Sequence, residues 1–286
     1  MARIVYVNGR YLPWGEARVH AEDRGFQFGD AVYEVCEVRG GRLIDETRHM
    51  DRLQRSLGEL KITEPMSRAA WARVMRETVR RNRVVDGSLY LQVSRGARPR
   101  DFLFSDANMS PTVVCLARPL KSARRDAAAK GIAVRSMPDI RWGRCDIKTV
   151  MLLPSSLAKE SAAEIGGKEA LMVDDKGFVT EGASSNAWII DAEGRLITRP
   201  ASNDILRGVT RTTLIDLLKK EGLELVERPF TVEEAKKARE VFITSATSIV
   251  TPVVRIDDTP IGNGAPGLTA SRLREVFHTV AETAAA

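Results

Sequence analysis

A chain of 286 residues, 43% hydrophobic and 29% charged, is ordinary globular material with enough apolar residues for one large core or two smaller ones. The net charge of +6 comes from 44 basic residues interleaved with 38 acidic ones, and the nearest basic runs, Lys121 to Arg125 and Arg80 to Arg83, are short. The charge therefore describes a solvated surface that favours small anionic substrates, and it argues against a nucleic-acid-binding protein, for which aromatic–basic interleaving and any binding motif are also missing.

Three scattered cysteines, Cys36, Cys115 and Cys145, make neither a disulfide framework nor a zinc site, so reduced thiols in a cytoplasmic protein are expected. No run is long enough to span a bilayer, and residues 1–11 alternate like a strand where a signal peptide would be continuously apolar. In chain order, Ile4 to Val7 and Tyr11-Leu12 flank Asn8-Gly9, a strong hairpin signal. Val32 to Val38 alternates as a strand and turns at Gly40-Gly41 towards Arg42 to Ile44. A helix from about Glu46 to Leu60 puts Met50, Leu53, Leu57 and Leu60 on one stripe, with Arg52 at its polar edge. Ser67 caps a second helix that carries Trp71, Val74, Met75 and Val79 inward. Strands at 88–94 and 112–117 complete a first α+β unit, and the charged stretch from Arg118 to Lys130 is the expected linker. Five further strands follow, at 132–135, 169–173, 178–180, 186–190 and 195–198, with tight turns at 174–177 and 191–194. Helices are predicted at 154–165, 209–221, 232–238 and 268–281. Many strands joined by short turns, with helices in groups, predict an α+β fold of two domains, 1–120 and 121–286.

The chemistry-bearing candidates are each ambiguous alone. His20, His49 and His278 have no metal-ligand spacing, and the chain has no Gly-x-Ser-x-Gly elbow, no His-Glu-x-x-His and no Gly-x-Gly-x-x-Gly after a strand. Hydrolase, metal and dinucleotide chemistry are disfavoured, and no metal is expected. Lys148 is the one cation in an apolar run with Ile147, Val150, Met151, Leu152 and Leu153. Either its stem packs on a core while the ammonium reaches water, or its surroundings strip water from the amine and leave it nucleophilic. Thr180 to Asn186 reads as an ordinary turn or as a site glutamate, Glu181, followed by small residues. Leu206 to Arg211 is a plain helix cap or a phosphate cradle built from backbone N–H groups. Thr244 to Ser248 is a hydroxyl-rich loop after an apolar strand.

Taken together and in order, these segments resemble the fold type IV pyridoxal-phosphate enzymes, class IV aminotransferases and their kin. The likeness runs from about Asn8 to Val254 and includes 22–30, 32–35, 49–53, 141–148, 180–186 and 208–211. The resemblance implies a two-domain architecture with pyridoxal 5′-phosphate bound between the domains, and a homodimer acting on small amino acids and 2-oxo acids. It implies that Lys148 carries the cofactor and moves the substrate's Cα proton, in a ping-pong transamination. Glu181 matches the carboxylate facing the pyridine nitrogen and Arg52 the phosphate-binding arginine. Val209, Thr210, Ala246 and Thr247 match the rest of the phosphate cup, and Leu206 the residue packed on the ring. The strand Val32 to Val38 is most similar to the D-amino acid transaminases, in which residues matching Tyr33 and Arg100 hold the substrate carboxylate; Ser184 and Ser185 are placed with the substrate in the same way. One departure stands out: Phe102 occupies a position where the D-amino acid enzymes have a histidine, removing a donor to the carboxylate worth about 1–3 kcal/mol. Arg98 and Arg144 are the candidates to replace it. Branched-chain L-aminotransferases, (R)-amine transaminases and aminodeoxychorismate lyases share the fold and are the alternatives.

Overall fold

In the computed structural model, which describes residues 3–104, 109–120 and 129–284, Asn8 and Gly9 take φ of 44° and 88°. Positive φ at both central residues is what a two-residue type I′ turn requires, and it folds β1 (Ile4–Val7) back on β2 (Arg10–Pro13) with Val5 opposite Leu12. The short helix α1 (Arg24–Phe28), capped by the Asp23 side chain on the Gly25 N–H, was invisible to periodicity because it spans little more than one turn. Then come β3 (Ala31–Arg39), β4 (Arg42–Leu43), α2 (Glu46–Glu59), α3 (Arg68–Arg81), β5 (Gly87–Ser94) and β6 (Thr112–Pro119).

These strands form one antiparallel sheet in the order β2-β1-β6-β5-β3-β4. Alternate residues Val32, Cys36 and Val38 of β3, Leu89, Leu91 and Val93 of β5, and Val113, Cys115 and Ala117 of β6 enter a single core. The predicted helix stripes meet them there: Met50, Leu53 and Leu57 from α2, and Trp71, Val74, Met75 and Val79 from α3. The linker expected between Arg118 and Lys130 falls largely outside the described residues, as does the Lys121–Arg125 run.

Onward from residue 129 the elements are β7 (Ile132–Pro138), α4 (Leu153–Glu164), β8 (Glu169–Val173), β9 (Val179–Gly182), β10 (Asn186–Ile190), β11 (Leu196–Thr198), α5 (Val209–Glu221), β12 (Leu225–Glu227), α6 (Val232–Lys237), β13 (Glu240–Ser245), β14 (Ile249–Ile256), β15 (Thr259–Pro260) and α7 (Leu268–Val276). A mixed sheet runs β12-β11-β10-β13-β14-β7-β8-β9, with β15 on β14. Apolar clusters line both of its faces, which explains why β10 is buried at every residue: Ala187 and Ile189 enter one cluster, Trp188 and Ile190 the other. Helices α5 and α7 supply Leu214, Leu217, Leu218, Ala270 and Leu273 to the second of these. The last helix ends earlier than the predicted 281: α7 stops at Val276 and tightens into a 3₁₀ turn over Phe277–Thr279.

The contacts divide the chain into two units. The first takes the described residues up to Leu120, but also Ile147–Met151 and the stretch from Glu282; the second takes the remainder. A single boundary at 120/121 therefore misplaces two segments, for a physical reason. Ile147 and Ala284 are buried in the first core, Thr149 bridges Val32, and the Ala284 N–H donates to the Leu43 carbonyl at 2.9 Å.

Candidate active site

Lys148 lies in the segment that returns to the first unit. Its carbonyl accepts the Tyr33 N–H at 3.0 Å, and its own N–H donates to Ser56 Oγ at 3.3 Å, so its backbone is pinned to β3 on one side and α2 on the other. Nζ stands 4.2 Å from the centre of the Tyr33 ring, within cation–π range of its face. The aliphatic sleeve suggested by the sequence is not what surrounds it. Ile147 turns into the core, whereas Met151, Leu152 and Leu153 remain 38%, 40% and 70% exposed.

Arg52 is held by a residue that periodicity should have flagged. Glu34 occupies the core-facing register of β3, between Val32 and Cys36, where a lone charge is very costly. Its carboxylate takes Arg52 Nε and Nη2, each at 2.7 Å, and His49 Nδ1 at 2.7 Å. Burial by itself would raise the Glu34 carboxyl; the Arg52 charge and fork, with the His49 contact, outweigh it and hold the carboxyl down at about 2. His49 is thus structural, fully enclosed at the base of this cluster.

In the second unit, Glu181 belongs to strand β9 and not to a turn. Its Oε1 accepts from Arg141 Nη1 at 2.6 Å and from the Leu206 N–H at 3.1 Å; its Oε2 accepts from Asn186 Nδ2 at 2.9 Å. Asn186 also donates to the Leu206 carbonyl at 2.8 Å, tying the 204–208 loop to Glu181. Gly208 then starts α5 with no side-chain cap, leaving the cap to backbone groups at Val209 and Thr210. A Cβ on Gly208 would stand 2.1 Å from Asn186 Oδ1, so this close approach requires glycine. Ala246 and Thr247 form the turn joining β13 to β14, the strands on whose sheet α5 and α7 pack.

The other sequence candidates have partners of their own. The Ser184 and Ser185 hydroxyls are turned onto Glu169, at 2.6 and 3.2 Å, where Lys159 also binds. Arg100 lies over the rings of Phe28 and Phe102, and Phe102 is 73% exposed. Arg144, a candidate to replace the missing histidine, is forked onto Asp146 at 2.9 and 3.0 Å. Sequence reasoning gave no role to Glu34, Asp139, Arg141 or Asn186; Glu34 left a signal as a charge in an apolar register, and Arg141 and Asn186 lie inside motifs that carry the resemblance.

The class IV aminotransferase family matches residues 31–256. The chain belongs to the class IV aminotransferases. It is 37% identical over 281 residues to D-alanine aminotransferase of Staphylococcus haemolyticus, covering 98% of each chain. It is 39% identical over 263 residues to D-alanine aminotransferase of Bacillus licheniformis, covering 92% of each. Its fold is that of the Escherichia coli branched-chain amino acid aminotransferase, with a TM-score of 0.89 at 24% identity over 98% of this chain and 95% of the other. Class IV aminotransferases work with pyridoxal 5′-phosphate, and the donor set fits that group. Within the second unit, a buried carboxylate fixed by three donors suits a ring nitrogen and an uncapped helix start suits a phosphate; within the first, Lys148 offers an amine for a carbonyl and Arg52 a guanidinium for an anion.

Proposed function

We propose that this aminotransferase moves the amino group of D-amino acids, of the D-alanine and D-glutamate type, onto a 2-oxo acid such as 2-oxoglutarate or pyruvate. The observation that carries this reading is the likeness to D-alanine aminotransferases over nearly the whole chain. Lys148 would hold the cofactor, Glu181 with Leu206 would serve its ring, and Arg52 with the backbone of Val209, Thr210, Ala246 and Thr247 would take its phosphate. When bound, the cofactor supplies a carbonyl for amine exchange and an electron-poor ring that spreads negative charge.

The chain's own groups do the rest. The Lys148 amine, held on backbone pinned to β3 and α2, takes the substrate's Cα proton at Nζ and would deliver it to the carbon that carried the cofactor's carbonyl. Glu181 keeps a proton on the ring nitrogen, because its carboxylate is fixed by Arg141, Asn186 and the Leu206 N–H before substrate arrives. Tyr33 and Arg100 hold the substrate carboxylate. The hydroxyls of Ser184 and Ser185 are engaged by Glu169, so this turn meets substrate through its backbone. The enzyme works as a cytoplasmic homodimer, which light scattering checks as twice the monomer mass.

A donor panel with 2-oxoglutarate tests the substrate class. D-alanine and D-glutamate should exceed L-leucine at least tenfold in kcat/KM; a preference for the L-donor overturns the D-specific reading. The exposed Phe102 supports a second arm, (R)-1-phenylethylamine, since an apolar ring there suits a donor without a carboxylate. Borohydride reduction followed by peptide mapping should fix the cofactor on Lys148 and on no other lysine.

A further inference from the structure

Glu181 is one end of a chain of three charges within the second unit. Arg141 donates from Nε to Asp139 Oδ1 at 2.9 Å and from Nη2 to Asp139 Oδ2 at 2.7 Å, while its Nη1 reaches Glu181 at 2.6 Å. The Thr180 hydroxyl completes the far end by donating to Asp139 Oδ2 at 2.6 Å. Asp139 itself follows β7 directly, and its N–H donates to the Val173 carbonyl at 2.8 Å, so the carboxylate is fixed by backbone as well as by side chains. All three charged side chains are largely shielded from water.

The charge count has a consequence for Glu181. A carboxylate paired with a guanidinium alone forms a neutral couple, and its oxygens have little attraction left for another cation. Two carboxylates sharing one guanidinium carry a net charge of −1. Taking the Glu181 reading above as the premise, we propose that Asp139 is a positioning residue acting through Arg141: it neutralises the guanidinium so that Glu181 retains the negative charge a protonated ring nitrogen needs. The titration directions agree. Burial raises the Asp139 carboxyl, yet the Arg141 hydrogen bonds and charge bring it below the ordinary carboxylate range. Burial likewise opposes the Arg141 charge, and Asp139 and Glu181 together raise its pKa.

A plain structural role, bracing the loop after β7, would affect any ligand equally. The discriminating measurement is the affinity of the apoprotein for pyridoxal 5′-phosphate against its 1-deaza analogue, which has CH in place of the ring nitrogen and no proton to offer. Wild type should prefer the nitrogen compound. Asp139→Asn should weaken that compound about tenfold, equivalent to one pKa unit, and leave the deaza analogue unchanged. Arg141→Lys keeps the charge count and should keep the preference within about threefold. The double variant Asp139→Asn/Arg141→Gln restores a net charge of −1 on Glu181 and should regain the preference; having no guanidinium to balance, it keeps the test readable if the single variant does not fold. Equal weakening of both ligands by Asp139→Asn, no change in either, or a double variant that stays without preference overturns the proposal. A wild-type protein that binds both ligands equally overturns the Glu181 premise instead, and one that binds neither overturns the cofactor reading, so the failures are distinguishable.

Discussion

A carboxylate in the core register of a strand is stable only if donors meet it there, and Glu34 meets the Arg52 guanidinium and the His49 ring. Its carboxyl is depressed in the folded protein relative to the ordinary value of 4.5, so the stability it contributes is present above about pH 4.5. That contribution is lost as pH falls from there towards the folded value of about 2. Urea midpoints measured from pH 6 to pH 2.5 should therefore drop steeply in the wild type, and less so in Glu34→Gln. At neutral pH the same variant leaves the Arg52 guanidinium buried without its fork and should cost about 3–5 kcal/mol. A second prediction concerns Gly208, whose hydrogen atom is what lets Asn186 reach both Glu181 and Leu206. Gly208→Ala should push Asn186 aside and weaken apoprotein binding of the cofactor about tenfold, read by absorbance titration, while changing the melting temperature by only a few degrees.

At the scale of elements, the legible parts were those with an uninterrupted period. The stripes of α2 and α3 and the alternation of β3, β5 and β6 were read off directly, because one face of each is buried and the other is not. β14 was not legible: Pro252 stands in its middle, and proline argues against a central strand. The structure accommodates it because β7 pairs with β14 only from Val253 onward, so the missing N–H falls just outside that ladder, while Phe242 still sits opposite on β13. Glu181 was read as a turn residue for a related reason, since four consecutive buried residues in β9 show no alternation to read. The cofactor-facing roles of Lys148 and Glu181 came from resemblance across the motif set and not from either residue alone. At the C-terminal side, α7 begins without a cap of its own and borrows one: Glu240 accepts the Thr269 and Ala270 N–H groups at 3.0 and 2.9 Å. Glu240→Ala should cost about 1–2 kcal/mol, visible in calorimetry as a lower melting temperature, with the donor panel unchanged in rank.

At the scale of the molecule, the first core is assembled from three separated stretches of chain. Residues 282–284 close it: the Asp45 N–H donates to the Glu282 carbonyl at 2.8 Å, the Thr47 hydroxyl to Glu282 Oε1 at 2.8 Å, and Ala284 is buried among the core residues. Deleting residues 282–286 should therefore destabilise the first unit by about 2–4 kcal/mol and show as amide exchange concentrated in β3, β4 and α2. Protection that falls equally in β10 and β13 would contradict that assignment. The same closure bears on synthesis. A chain emerging from the ribosome often folds its leading domain while the rest is still being made. Here the leading unit lacks Ile147 until well after Leu120 has been made, and Ala284 until every strand of the trailing sheet has been made, so its native packing is completed only after that sheet has left the exit tunnel.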